Sequence, residues 1–513
     1  MSARRRERTE VLIVGFGPTG QVLSAVLGAA GHSAIACEKH EGVYPTPRAG
    51  HFDHEVMRVF QDLGIAEDVL ELALPADGSV TVDATGKLLS KRRMPWETPS
   101  GWNYAYYFYQ PHLEQVLNTR VAGFPSVTLR THQEVVSIHD LGSSVVATVR
   151  DLDSGEVYEI EAEYVVGADG ANSRVRSEIS VEQDDLGYDD EWLVVDVRMH
   201  DEIAPQPFDF ARFYLDPLRP IVGGRIGGRY RRWEFKLTHD DDRSTFDTPE
   251  SAWSLLKPWM TPTDGELIRH SIYRFSSLVA QTFHRGRVIL AGDAAHTMPP
   301  FLGQGMCSGV RDAQMLGWVL DLILRKIASD ELLEAYSDGR RANVVTYVRE
   351  SMRMGQIVSA VDPEEARKNA VLLETTEPVR PPFQPLAESV ISASPRAGEL
   401  AVQPVMVTAG GPKLLDDLIG TGFRLLSIQE VRLPDLTRGA RRVLESLGVT
   451  RFVVNPPNST ELPRAGDDRF TKWLGDAAFV LVRPDNYVFG SARDLIELSA
   501  LLVELKRALV LSA

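Results

Sequence analysis

Three short stretches of this chain pair glycine with a carboxylate, and a fourth sets glycines beside prolines. They are Gly15-Phe16-Gly17-Pro18-Thr19-Gly20 with Glu38 downstream, Asp169-Gly170, Gly292-Asp293, and Pro300-Phe301-Leu302-Gly303-Gln304-Gly305-Met306. In the first, Gly15 permits a tight turn, Gly17 lets the backbone approach a pyrophosphate, and Gly20 allows a helix to pack closely on a strand. Glu38 is placed to accept hydrogen bonds from ribose hydroxyls. This pattern alone leaves FAD and NAD both open. A carboxylate at a strand end can hold polyol hydroxyls, and glycine lets backbone lie close to a flat ring. A flavin needs both, and Asp169-Gly170 and Gly292-Asp293 offer both.

Each stretch needs an element to carry it. Val11 to Val14 is a short apolar run of the kind found in buried parallel strands, and it leads directly into Gly15. From Pro18 to Ala30 the pattern is helical, with proline in the first turn and Gly31 as the stop. Ser33 to Cys37 reads as the next strand. Ile160 to Val166 and Arg287 to Ala291 read as strands that end in Asp169-Gly170 and Gly292-Asp293. After Gly305, Val310, Ala313, Gly317, Leu320 and Leu324 share one face of a helix, whose positive N-terminal end favours an anionic reduced flavin.

The 513 residues predict two or three packed units, and 43% hydrophobic with 25% charged residues is an ordinary globular composition. A formal charge of −16 argues against nucleic acid and anionic membranes as partners. Cys37 and Cys307 are the only cysteines, which suggests neither a disulfide framework nor a zinc site and suits a reducing, cytoplasmic location. The arginines from Arg4 to Arg8 read as a solvated tail, and no apolar run is long enough to span a bilayer. His51 and His54 lack the second histidine of a zinc helix, so no metal is expected.

The order Gly15-x-Gly17-x-x-Gly20, Asp169-Gly170, Gly292-Asp293 resembles that of the FAD-dependent aromatic hydroxylases, the flavoprotein monooxygenases related to 4-hydroxybenzoate hydroxylase. Further stretches resemble the branch of 3-(3-hydroxyphenyl)propionate and polyketide hydroxylases: Pro47-Arg48-Ala49, Tyr109-Gln110-Pro111, Asp216-Pro217-Leu218-Arg219-Pro220, Arg232-Trp233-Glu234-Phe235 and Gly303-Gln304-Gly305-Met306. The likeness covers roughly the first 360 residues and, more loosely, the C-terminal end. It implies an α/β fold: a Rossmann-like FAD-binding domain of the GR2 type, an inserted β-rich substrate domain and a thioredoxin-like C-terminal domain. It also implies that Arg48 and Gln110 contact FAD, that Asp169 lies near the pyrophosphate and the NAD(P)H path, and that Asp293 holds the ribityl chain. Pro300 and Gly303 to Met306 should border the isoalloxazine. The activity implied uses NADH or NADPH and O2 to hydroxylate a phenolic or polyketide-type ring through a flavin hydroperoxide. An FAD-dependent reductase that avoids oxygen, or a non-catalytic flavoprotein, would carry the same FAD motifs.

Placed on the chain, the FAD-binding domain takes residues 1–75, 102–182 and 280–362, and the substrate domain takes 76–101 and 183–279. Residues 363–404, rich in proline, read as an extended connector, and 405–513 as the thioredoxin-like unit. That unit has no cysteine, which leaves packing or assembly, with a homodimer expected. Cutting the chain near Pro385 is expected to leave flavin binding intact, because every FAD motif precedes it. His51, three residues after Arg48, is the candidate base for a phenolic proton, set against the commoner structural histidine. Tyr214 is a second candidate. Arg225, Arg229, Arg231 and Arg232 read as a solvated strand face, and the aromatic run Trp102 to Tyr109 as either ring-pocket lining or plain packing.

Overall fold

Val11, Leu12 and Ile13 have no solvent exposure because the strand that carries them, Arg6–Val14, has parallel neighbours on both edges. In this computed structural model the described residues are 5–94, 98–201, 211–376, 385–387, 389–454 and 463–511. The first sheet runs in the order His284–Arg285, Val288–Leu290, Val157–Gly167, Arg6–Val14, Ala34–Cys37, Val127–Arg130, with a side branch through Val145–Asp151 and Gln133–Asp140. Its buried parallel strands are rich in Val, Ile and Leu, as burial on both faces requires. The N-terminal arginines are not all a free tail, and Arg4 lies outside the described residues. Arg6 and Arg8 lie within the first strand and pair with Glu161 across the ladder.

The helix Pro18–Ala29 follows the first strand and lies against the long helix Gly305–Leu324. Glycine makes the approach possible. A Cβ at Gly309 would come within 2.3 Å of the Thr19 hydroxyl, and one at Gly317 within 2.3 Å of Val26. Bringing these two helices together sets the N-terminal turn of the first beside that of the second.

The second sheet has seven strands in the order Gly265–Ala280, Gln183–Met199, Tyr230–Lys236, Ile221–Arg225, Ala211–Leu215, Gly78–Asp83, Leu88–Arg93. One face packs Leu193, Val195, Trp233 and Phe235 on the helix Pro249–Leu256. The other face, alternating in phase, looks back toward the first sheet.

Residues 363–404 are not wholly extended. Pro363–Thr375 is a helix, with the Asp362 carboxylate accepting from the Glu365 N–H at 2.8 Å, and its Ala370 and Leu373 pack beside Leu89. An aspartate N-cap with proline at the first helical position is a start signal that the sequence carries openly. Pro378, Pro381 and Pro382 lie outside the described residues.

The C-terminal region builds a four-stranded sheet in the order Thr450–Val453, Arg424–Ser427, Phe479–Val482, Val488–Ala492, flanked by helices Arg438–Ser446 and Leu495–Ala508. Phe423, Leu425 and Phe489 belong to the same continuous core as Val11 and Trp318. Beneath it a buried ion network crosses to the helix His54–Asp62. Arg58 and Arg424 both bind Asp416, at 2.7 and 3.0 Å, and Asn486 donates to Asp62 at 2.9 Å. No helix among the described residues is long and apolar enough to cross a membrane.

Candidate active site

A cavity of about 1380 Å³ runs from the Gly15–Thr19 turn to the inner face of the seven-stranded sheet. At one end, Gly15 has φ +98°, and a Cβ there would strike the Ala168 carbonyl at 2.4 Å. Gly17 differs: a Cβ there meets nothing within 4 Å, so the bare backbone faces open cavity. Pro18 and Thr19 line the same wall. Gly20 does not. It is buried, and a Cβ would lie 2.2 Å from the Gly15 carbonyl, so its part is to close the turn. Glu38 lines the cavity, with one oxygen accepting from the Phe16 N–H at 2.8 Å and the other from the His40 N–H at 3.0 Å. Open backbone at a helix N-terminus, with a carboxylate beside it, fits a dinucleotide's pyrophosphate and ribose.

Arg48 is delivered by a loop fastened from both sides. The Gln110 side-chain oxygen accepts from the Arg48 and Ala49 N–H groups at 2.8 and 2.7 Å, while Arg232 donates to the Pro47 and Arg48 carbonyls at 2.8 and 2.6 Å. Gln110 lines the cavity, yet its amide is spent on this loop and on Glu114. Asp169 also lines it, with its carboxylate accepting from Ser173 Oγ and the Arg174 and Val175 N–H groups. Gly170, at φ +82°, brings its backbone beside the Arg48 guanidinium. Arg232 is thus no solvated cation. It is bound to Asp196 at 2.7 Å, and Arg231 is buried.

Asp293 faces the cavity half-buried. Burial raises its carboxyl above the ordinary range; His296 and Arg48 oppose this, and Asp312 reinforces it. Gly292 lies behind, off the cavity wall, at φ +63° with its N–H on Asp312 at 2.9 Å.

Pro300, Gly303, Gly305 and Met306 form the wall between the dinucleotide end and the sheet. His51 stands opposite. It begins the strand His51–Asp53, and its Nδ1 is buried without a hydrogen-bond partner among the described residues. Burial lowers its imidazole below the ordinary histidine range, against the pull of Asp53 and the Gly303 backbone, so the ring is neutral near pH 7. Below it, Asp53 accepts from Gln304 Nε2 at 3.1 Å and pairs with Arg311, which also donates to Gln304 Oε1 at 3.0 Å and to Glu55 at 2.7 Å. The Tyr487 hydroxyl closes this network by donating to Glu55. Burial would raise Asp53, but Arg311 and His54 overcome it and hold its carboxyl at about 2.

Tyr214 is not in this site. Strand alternation turns Phe213 into the cavity and Tyr214 to the opposite face, where its hydroxyl accepts from Trp259 Nε1 at 2.9 Å. Of the aromatic run, Tyr104 and Tyr107 line the cavity, while Tyr106 and Phe108 pack on Phe52 in the core. Sequence reasoning missed the Asp53–Arg311–Gln304 support and the cavity-facing role of Phe213. An arginine at helical spacing beyond the Gly303–Gly305 turn was the available signal for the first.

Residues 8–351 match the family model described as FAD binding domain, and residues 398–508 match the HcaD C-terminal domain. The chain is 33% identical to a probable NADH-specific resorcinol 4-hydroxylase of Rhodococcus jostii, over 98% of this chain and 96% of that one. It is 30% identical to 3-(3-hydroxy-phenyl)propionate/3-hydroxycinnamic acid hydroxylase 2 of Burkholderia vietnamiensis, over 95% and 94%. In fold it matches the flavin-dependent monooxygenase PieE, solved with FAD and substrate, at TM-score 0.80 and 23% identity over 98% and 99% of the two chains. The cavity, its glycine turns and these likenesses agree: the chain belongs to the FAD-dependent aromatic hydroxylases.

Proposed function

We propose that this enzyme hydroxylates a small monocyclic phenol with NADH and O2, in the balance ArH + NADH + H⁺ + O2 giving ArOH + NAD⁺ + H2O. The relatives point to a single ring: one is named for resorcinol, the other for phenols with a three-carbon acid chain. In this reading the Gly15–Gly20 turn with Pro18 and Thr19 takes the pyrophosphate of FAD, Glu38 a ribose, and Asp293 the ribityl hydroxyls. Arg48 and Gly170 flank the phosphate path, with Gln110 and Asp169 setting their backbones. Gly303, Gly305, Met306 and Pro300 border the ring system. Bound FAD supplies the activation of O2 that places one oxygen atom on the arene and sends the other into water.

The observation that carries the reading is the place of His51 on the cavity wall against the Gly303 turn, its Nδ1 without a hydrogen-bond partner among the described residues, at the junction of dinucleotide groove and sheet cavity. A buried imidazole held neutral can take the proton of a phenol, and the phenolate directs oxygen to its ring. The Tyr107 ring lies 6.2 Å from His51 and helps close the space around it. The buried free thiols Cys37 and Cys307 fit a reducing cytoplasm.

Stoichiometry tests this. Purified holoenzyme is supplied with NADH and a panel of phenols while NADH loss, oxygen uptake and product are measured together. One NADH and one O2 per hydroxylated product supports the assignment. NADH oxidation that no phenol accelerates and that consumes no oxygen would move the protein to the reductases.

A further inference from the structure

The C-terminal region reaches the active site through a braced turn. Between the strands Phe479–Val482 and Val488–Ala492 the chain runs Arg483-Pro484-Asp485-Asn486-Tyr487. Arg483 and Asp485 form a buried pair within it, and Arg483 also donates to the Val390 carbonyl at 3.0 Å. The Arg483 N–H closes the turn on the Tyr487 carbonyl at 2.8 Å, and Asn486 stands in the left-handed region at φ +68°. Asparagine tolerates that backbone better than most residues.

This turn grips the helix His54–Asp62 at both ends. Asn486 donates to Asp62 at 2.9 Å, and the Tyr487 hydroxyl donates to Glu55 in the first turn. Glu55 passes the contact on, because its other oxygen accepts from Arg311 Nε at 2.7 Å. Arg311 gives its remaining nitrogens to Asp53 and to Gln304 Oε1. Both are helix caps. Asp53 heads His54–Asp62, accepting from the Glu55 and Val56 N–H groups at 3.2 and 3.1 Å, and Gln304 heads Gly305–Leu324. His51 lies two residues before the first cap and Gly303 one before the second, and all four residues line the cavity.

One buried guanidinium therefore faces two buried carboxylates. The two anions compete for it in a poorly solvated space, and a second donor on Glu55 relieves that competition. Burial, reinforced by the charge of Glu55, raises the Tyr487 hydroxyl well above the ordinary tyrosine range, so it remains a donor. Without it, Arg311 is drawn toward Glu55 and slackens its hold on Asp53 and Gln304.

We propose that Tyr487 is a positioning residue for the hydroxylation: acting through Glu55 and Arg311, it fixes the His51–Asp53 strand against the Gly303–Gln304 turn. The C-terminal region thereby holds the geometry of the site, beyond packing on the core. This rests on the hydroxylase reading above.

The test compares full-length wild-type, Tyr487→Phe, Glu55→Gln and doubly substituted holoenzymes. FAD content, product and peroxide per NADH, and amide hydrogen exchange are measured for each. Tyr487→Phe loses only the hydroxyl and should keep FAD. With the best-coupled phenol of the panel, 1,3-dihydroxybenzene included, its product per NADH should fall at least about threefold and peroxide should make up the difference. Exchange should quicken in peptides covering residues 51–56 and 303–308 and stay unchanged in the strand Arg6–Val14. The double variant should uncouple no more than the worse single one, since both substitutions cut the same link. If Tyr487→Phe does not retain FAD, Glu55→Gln carries the same expectation and the same refutation. An FAD-loaded Tyr487→Phe enzyme with wild-type product per NADH overturns the proposal. So does exchange that quickens evenly along the chain, which would make Tyr487 a packing residue only. If wild type hydroxylates no phenol, the hydroxylase reading falls and Tyr487 with it, whereas equal coupling in wild type and variant removes Tyr487 alone.

Discussion

The Nδ1 atom of His51 lies so close to Gly303 that a Cβ on residue 303 would stand 2.6 Å from it. Gly303 is also held at φ +64°, in the left-handed region. The turn at the flavin end and the candidate base are therefore in mutual contact, each fixing the other's place.

Gly303→Ala should disturb both. The left-handed backbone alone costs an alanine about 1–2 kcal/mol, and the clash forces His51 or the turn to move. The expected result is a lower melting temperature together with a larger share of NADH oxidation ending in hydrogen peroxide, because a misplaced ring misses the oxygen. Peroxide yield per NADH measures it; a yield equal to wild type would show that this contact does not position the reaction.

Asp293→Ala should weaken FAD retention without unfolding the protein. A charge-assisted hydrogen bond to a polyol hydroxyl contributes about 1.5–3 kcal/mol, so the dissociation constant should rise at least about tenfold. Fluorescence titration of the apoprotein with FAD reads this directly. Unchanged affinity would remove Asp293 from the cofactor site.

The flavin half of the site was legible in the sequence because its determinants are local. The Val11–Val14 run, the Gly15–Gly20 turn and Pro18 follow one another directly, and backbone geometry demands those residue types in that order. What needed the fold was phase and pairing. Nothing near Tyr214 says that Phe213, and not Tyr214, turns toward the cavity. Nor does the Arg232-Trp233-Glu234 stretch reveal that Arg232 is spent on Asp196 and the Pro47–Arg48 backbone. The link between Arg58 and Asp416 joins residues 358 positions apart, and no local pattern announces it.

That link changes what truncation should do. Cutting near Pro385 would strip Asp416 and Arg424 from Arg58, Asn486 from Asp62, and Tyr487 from Glu55, exposing a face of the shared core. The truncated chain should fail to hold FAD in soluble form, in contrast to the expectation from motif positions. In the full chain, Asp416→Ala leaves two buried arginines without their acid and should cost about 3–5 kcal/mol in urea unfolding. A soluble truncation with a normal flavin spectrum would contradict this coupling.

The same interface predicts a pH dependence. Burial and the neighbouring charge of Asp416 push the Asp62 carboxyl up to about 7. A carboxyl with a folded pKa above its unfolded one binds its proton more tightly when folded, so stability falls as pH rises from about 4 to 7. Asp62→Asn should therefore stabilise the protein at pH 8, by no more than about 4 kcal/mol, and change little at pH 4. Parallel wild-type and variant stability curves across that range would rule out a raised Asp62.

The most direct measurement of the central claim is the pH profile of phenol hydroxylation, by product formed, for wild type and His51→Asn. With its imidazole pKa lowered by burial, wild-type His51 stays a neutral base below the ordinary histidine range, so hydroxylation should persist into mildly acidic solution and fall only below it. His51→Asn should keep FAD, lose roughly 100-fold or more in kcat at neutral pH, and recover part of that loss as pH approaches the substrate's own pKa. Superimposable profiles for the two enzymes would contradict the account, because the phenol would then need no base from His51.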